Sequence, residues 1–206
     1  MMTRIAAALI AVCLMAPPSI AQTDASAEAR PGTYEIDPAH TSITFGIEHM
    51  GIAIVYGRFD EFSGSFTQGE QPGFDFQLQT DSVNTNQDER DRHLRSADYF
   101  NVDEYPTITL TSTELEPTDE GWQATAELTM MGQTRPIELT LVKGGETEDP
   151  WGNYRAGYTT QFTIQRSEWG FTQGVANGML ADDVTLRIGL EGILQEEDSS
   201  AGEDVE

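Results

Sequence analysis

Thr33–Phe66 reads TYEIDPAHTSITFGIEHMGIAIVYGRFDEFSGSF, and its alternation decides the fold. From Thr41 to His49 the odd positions Ile43, Phe45, Ile47 and His49 share one side, while Ser42, Thr44, Gly46 and Glu48 share the other. Successive side chains on a strand point to opposite faces, so the pattern marks a half-buried β-strand. Its buried face is apolar and ends in a histidine, a composition that suits a cavity wall for an apolar ligand. Gly57-Arg58-Phe59 closes a further strand.

The same period recurs to the end of the chain. Phe74, Phe76 and Leu78 oppose Asp75, Gln77 and Gln79; Ile108 and Leu110 oppose threonines. Trp122, Ala124, Ala126, Leu128 and Met130 form one parity set, and Ile137, Leu139 and Leu141 the next. Tyr154, Ala156, Tyr158, Phe162 and Ile164 follow, then Val184, Leu186, Ile188 and Leu190. Turn signals separate the sets at Gln68-Gly69, Pro117-Thr118-Asp119, Met131-Gly132 and Gly144-Gly145. About eight or nine short antiparallel strands at even spacing predict a barrel or a sandwich. One segment departs from the rule. Gln87–Tyr99, QDERDRHLRSADY, has acids at its start and Thr85 and Asn86 as candidate caps, so it predicts a short helix over one barrel end.

The first residues, MMTRIAAALIAVCLMAPPSIA, combine Arg4, an apolar run, two prolines and small residues at Ser19 and Ala21. This predicts a secretory signal peptide over residues 1–21 and a periplasmic destination, because the run is shorter than the roughly 20 residues needed to span a bilayer. Cys13 lies in that leader, so the mature chain carries no thiol for disulfides or thiolate metal sites. Residues 22–32 read as a flexible lead-in, 33–194 as the barrel domain, and 195–206, QEEDSSAGEDVE, as an acidic disordered tail. With 11 Lys+Arg against 35 Asp+Glu, the net charge is −24. Such a surface disfavours nucleic acid.

These pieces, in this order, resemble the YceI family. The resemblance is carried by Tyr34, Ile36-Asp37-Pro38, His40-Thr41-Ser42, Phe45, His49, Gly57-Arg58-Phe59, Phe62 and Gly64. It continues through Arg90-Asp91-Arg92-His93-Leu94-Arg95-Ser96, Asp98-Tyr99-Phe100, Tyr105-Pro106, Leu128-Thr129, Gly132, Arg166 and Trp169-Gly170. Met131 and Tyr99 depart from the family pattern. The resemblance implies an all-β, eight-stranded antiparallel, lipocalin-like β-barrel whose bore holds a polyisoprenoid-type chain, with polar groups meeting a headgroup at one mouth.

Elementary energetics agree with a lipid-binding bore. Each buried methylene is worth about 0.8 kcal/mol, so a few isoprene units supply useful affinity. An eight-stranded bore can also be filled by its own side chains, and only small residues such as Gly46, Gly64, Ala124 and Ala126 would open it. The candidate lining is Phe45, Ile47, Phe76, Leu110, Leu128, Leu139, Phe162, Ile164 and Leu186, with His49 at the strand end. Asp91 and His93, beside Arg90 and Arg95, form a mixed-charge cluster that suits either a solvated helix face or a headgroup contact. Arg166 continues the parity of Phe162 and Ile164 and should face inward, where it needs Asp91, another carboxylate or an acidic lipid head. His40 and His49 are expected on neighbouring strands and His93 on the helix, so no zinc site and no cofactor are expected. No nucleophile elbow, phosphate loop or zinc helix is present, so no enzyme activity is expected. The predicted function is an exported carrier of a polyisoprenoid, quinone-like or fatty-acyl lipid, with transient membrane or lipid-handling partners. The alternative is a stress-associated structural barrel with a solid bore.

Overall fold

The computed structural model describes residues 30–196. The predicted signal peptide, most of the lead-in and the last ten residues of the acidic tail lie outside them. Among the described residues eleven strands form in chain order: β1 (Gly32–Ile36), β2 (Ser42–His49), β3 (Ala53–Phe59), β4 (Phe62–Gln68), β5 (Gly73–Gln79), β6 (Val83–Asn84), β7 (Thr107–Thr118), β8 (Gly121–Met130), β9 (Gln133–Glu148), β10 (Tyr154–Gln165) and β11 (Leu180–Leu194). One helix, α1 (Asp88–Arg95), follows β6.

The eleven segments make a closed eight-stranded antiparallel barrel, because three of its strands are broken. β11 pairs with β1 at Tyr34–Leu194 and with β2 at Phe45–Leu186, so β1 and β2 are two lengths of one barrel strand. β4 pairs with β1 while β3 pairs with β2, and β5 pairs with β4 while β6 pairs with β3. β7 to β11 then run up and down as uninterrupted hairpins to the closure at β1.

The break between β1 and β2 has a readable cause. Pro38 has no N–H for a ladder, and Asp37 turns the chain by accepting from the Ala39 amide at 2.9 Å. Thr41 then stitches the chain back to β11, its hydroxyl both donating to the Glu191 carbonyl and accepting from the Glu191 amide at 3.1 Å. Arg155 on β10 joins the same turn, 2.6 Å from Asp37 Oδ2, 2.7 Å from Glu191 Oε1 and 2.7 Å from Asp149 Oδ2. Hydrogen bonds first from Arg155 and then from His40 hold the Asp37 carboxyl down at about 2, below its ordinary 3.8. A depressed carboxyl adds stability that is complete above 3.8 and fades as pH falls through about 2. Asp37→Asn should therefore melt below the native chain near neutrality, with the gap in Tm closing as pH falls through that window. Calorimetry showing a constant gap down to pH 2 would remove this carboxylate from the acid response.

The parity sets face the core as their alternation requires. Phe74, Phe76, Ile108, Leu110, Ala124, Ala126, Leu128, Leu139, Leu141, Ala156 and Tyr158 are all buried. Gly144-Gly145 differs from its reading as a turn. It lies inside β9 as a bulge, where the register against β10 slips between Ala156–Glu146 and Tyr158–Lys143. Helix α1 spans less than predicted, and its cap is Gln87, whose side chain accepts from the Arg90 amide at 2.7 Å. Asn86 sits just before it at φ 60. Among the described residues no helix is long and apolar enough to cross a membrane.

Candidate functional site

The bore divides into a packed half and an open half. At the end carrying the β1 start and the β9–β10 turn, Tyr34 stacks on Phe66 at 4.9 Å, and Phe66 meets Tyr158 edge-on at 5.4 Å. Tyr34 is fully buried, and Ala124, Ala126 and Leu139 lie in the packed interior. The other half holds a cavity of about 370 Å³ with an almost wholly apolar wall. That volume lies within the range of small-molecule pockets.

Every predicted site residue except Asp91 and Leu139 lines this cavity. Phe45, Ile47 and His49 come from β2, Phe76 from β5, Leu110 from β7 and Leu128 from β8. Phe162 and Ile164 come from β10, Leu186 from β11, His93 from α1, and Arg166 from the turn of 3-10 helix after β10. Leu139 shares the inward parity of Leu141 but belongs to the packed half. The glycines and alanines proposed to open the bore do not do so. Gly46 faces outward, where an added Cβ would meet Ile54 and Tyr56 at 3.0 Å, and Gly64 at φ 142 lies against the backbone of Asp75. Gly57 has the opposite role: an added Cβ would overlap the Phe45 ring, so this glycine seats an aromatic wall residue.

Asp91 is a strut. It is buried and accepts from the Thr85 amide at 2.9 Å and the Thr85 hydroxyl at 2.5 Å. Arg90 donates to the same hydroxyl at 2.6 Å and to the Thr85 carbonyl at 2.8 Å. Arg95 donates to the carbonyls of Asp81 and Val83 at 2.6 and 2.8 Å. Most of the α1 charge cluster therefore straps the helix to the segment before it. Arg90 and His93 are exposed yet line the cavity, which places them at its opening.

Arg166 does face inward, but Asp91 does not hold it and neither does any other carboxylate among the described residues. Its guanidinium donates to the carbonyls of Ala181 at 2.9 Å, Phe171 at 2.7 Å and Gln173 at 2.6 Å. Burial pushes its pKa below the ordinary value, against the opposing pull of Tyr99 and Asp182. Asp182 is engaged elsewhere, accepting from the Ser167 amide and hydroxyl. Trp169, almost fully buried, fixes this turn by donating to the Leu128 carbonyl at 3.1 Å.

The three histidines do not converge. His40 lies in the turn between β1 and β2 with Nδ1 2.7 Å from Asp37, His49 ends β2, and His93 pairs with Asp98 at 3.2 Å. Asp37, His40 and Glu191 do approach one another closely, but the Arg155 guanidinium already occupies the space a cation would need.

Sequence reasoning missed the roof. Tyr99, Phe100, Phe171 and Leu180 also line the cavity, and Phe59, Phe100 and Phe171 form an edge-to-face chain at 5.7 and 5.2 Å. Most of these residues sit in turns that have no period. Val184 and Ile188 share the parity of Leu186 and were within reach of the same reasoning.

Comparison with known proteins agrees with this architecture. The family model described as "YceI-like domain" matches residues 34–192. A UPF0312 protein of Pectobacterium carotovorum is 39% identical over 174 residues, covering 82% of this chain and 90% of the relative. One from Pseudomonas aeruginosa is 38% identical with the same coverage. Among solved structures, a YCEI protein of Campylobacter jejuni has a TM-score of 0.66 at 29% identity, covering 72% of this chain and 90% of that one. A polyisoprenoid binding domain from Saccharophagus degradans has a TM-score of 0.65 at 16% identity, covering 81% and 100%.

Proposed function

The chain belongs to the YceI-like domain family, and from that premise we propose that it is an exported carrier holding the apolar tail of a long-chain lipid in its open half-barrel. The observation that carries this reading is the apolar cavity of about 370 Å³, closed at one end by packed aromatics and bounded at the other by Arg90 and His93. The wall offers branched and aromatic contacts along its length with few polar groups, so it selects for an extended hydrocarbon. The ligand class is a polyisoprenoid, a quinone-like prenyl lipid or a fatty-acyl chain. The S. degradans neighbour, described as polyisoprenoid binding, supports the first. The leader-like start of the sequence supports export to the periplasm. The solid structural barrel accounts for the packed half alone.

The proposal is binding without chemistry. Its test is extraction and mass spectrometry of lipid from protein purified gently from its native host. One long-chain species close to equimolar with protein is expected. Protein that carries no such lipid, and that takes up neither a prenyl quinone nor a fatty-acid probe, would refute the reading.

A further inference from the structure

We propose that the tip of the β2–β3 hairpin, together with Met179, is a docking surface for a neutral phospholipid bilayer; its purpose, bringing the cavity mouth to a lipid source, rests on the carrier reading above. Seven large apolar side chains are exposed among the described residues, and five of them gather here: Met50, Ile52, Ile54, Tyr56 and Met179. Scattered exposed hydrophobics need no explanation, but a cluster of this kind marks an interaction surface. The tip is rigid. Met50 and Gly51 take φ of 56 and 68, and the Ile52 amide closes the turn by donating to His49 O at 3.0 Å. The Met50 amide donates to Met179 O at 3.0 Å, joining the preceding loop to the hairpin.

Two further observations choose the occupant. His49 and Val55 on this hairpin, and Leu180 next to Met179, line the cavity. The exposed cluster is thus continuous with the apolar bore through the same few residues, as expected of a surface across which a lipid tail moves. Met50–Gly57 also carries no charged residue in a chain of net charge −24. Anionic headgroups are repelled by the surrounding acid, including the Glu48 carboxylate beside the Gly51 turn, over a Debye length of about 8 Å at physiological salt, whereas neutral headgroups meet no such repulsion. Ile52, 77% exposed, projects outward and fits insertion between headgroups, and Tyr56 suits the interfacial layer. Among the described residues the β3 edge away from β2 has no strand partner at Ala53–Gly57, since β6 pairs only at Arg58 and Phe59. A second copy could add there, but it would bring the same large negative charge.

Full-length protein is tested by co-sedimentation with phosphatidylcholine vesicles and with vesicles doped with phosphatidylglycerol. The native chain should prefer the neutral vesicles, and added salt should narrow the difference. Ile52→Asp should lower partitioning into neutral vesicles about tenfold, while a soluble fluorescent fatty acid binds unchanged. Trp151→Ser, at the opposite end of the barrel and 81% exposed in the native chain, should leave partitioning unaltered. Equal partitioning of native chain and Ile52→Asp overturns the proposal. So does a concentration-dependent dimer, seen by sedimentation velocity without vesicles, that Ile52→Asp abolishes, since the tip would then serve a second copy. If the tip variant loses vesicles but neither protein takes up the fatty acid or a prenyl quinone, docking stands and the carrier reading falls.

Discussion

Leu186→Trp is expected to cut affinity for a long-chain lipid roughly fiftyfold and leave the barrel folded. Leu186 lies on β11 between Phe45 and Phe162, half-buried and facing the cavity. An indole there grows into empty space. If it displaces three methylenes of tail at about 0.8 kcal/mol each, binding loses about 2.4 kcal/mol. Ala124→Trp supplies the contrast. Ala124 is fully buried in the packed half, opposite Leu115 and Leu139, and has no space to receive a large ring. Overpacking of this size should cost about 3 kcal/mol or more, lowering Tm by about 6–12 °C. Titration with a fluorescent fatty acid and thermal melts of both variants check the pair. Full affinity in folded Leu186→Trp would take the tail out of this half of the bore.

That contrast marks where legibility in the sequence ends. Leu128 and Leu139 sit in equally clean alternating runs, and both face inward, because parity is a local property of a strand. One lines a void and the other does not. The difference depends on what stands across the barrel. The stack of Tyr34, Phe66 and Tyr158 joins β1, β4 and β10, and no single strand's pattern contains that sum of volumes. Turn glycines show a similar limit. Met131-Gly132 is a true hairpin turn with both residues at positive φ, while Gly144-Gly145, equally suggestive in sequence, is absorbed as a bulge in a long strand. The helix was legible because its charges follow helix rules. That Arg90 and Asp91 would clamp Thr85 was not, since Thr85 carried no mark beyond being a candidate cap.

Arg166→Met is expected to lower Tm by about 6–12 °C, because it strips the donors from three backbone carbonyls at once. Phe171 and Gln173 belong to the irregular segment between the 3-10 turn and β11, Ala181 to the start of β11, and their carbonyls converge on one guanidinium. Leaving a buried acceptor unpaired costs about 1–3 kcal/mol, and partial rehydration of this segment brings the total to about 3 kcal/mol. The same arginine lines the cavity without an ion pair to any carboxylate among the described residues, and the three carbonyls take three of its five N–H groups. An anionic lipid head entering past Arg90 and His93 would find there a positive charge that Asp182 offsets only from a distance. Arg166→Lys separates the two roles. It keeps the charge but cannot reproduce the fork that binds three carbonyls, so it should melt early like Arg166→Met. If the charge attracts the headgroup, Arg166→Lys should retain the preference for a carboxylated or phosphorylated lipid over its neutral analogue, and Arg166→Met should lose it. Should both variants bind charged and neutral lipids in the native ratio, Arg166 is a brace for the roof and nothing more.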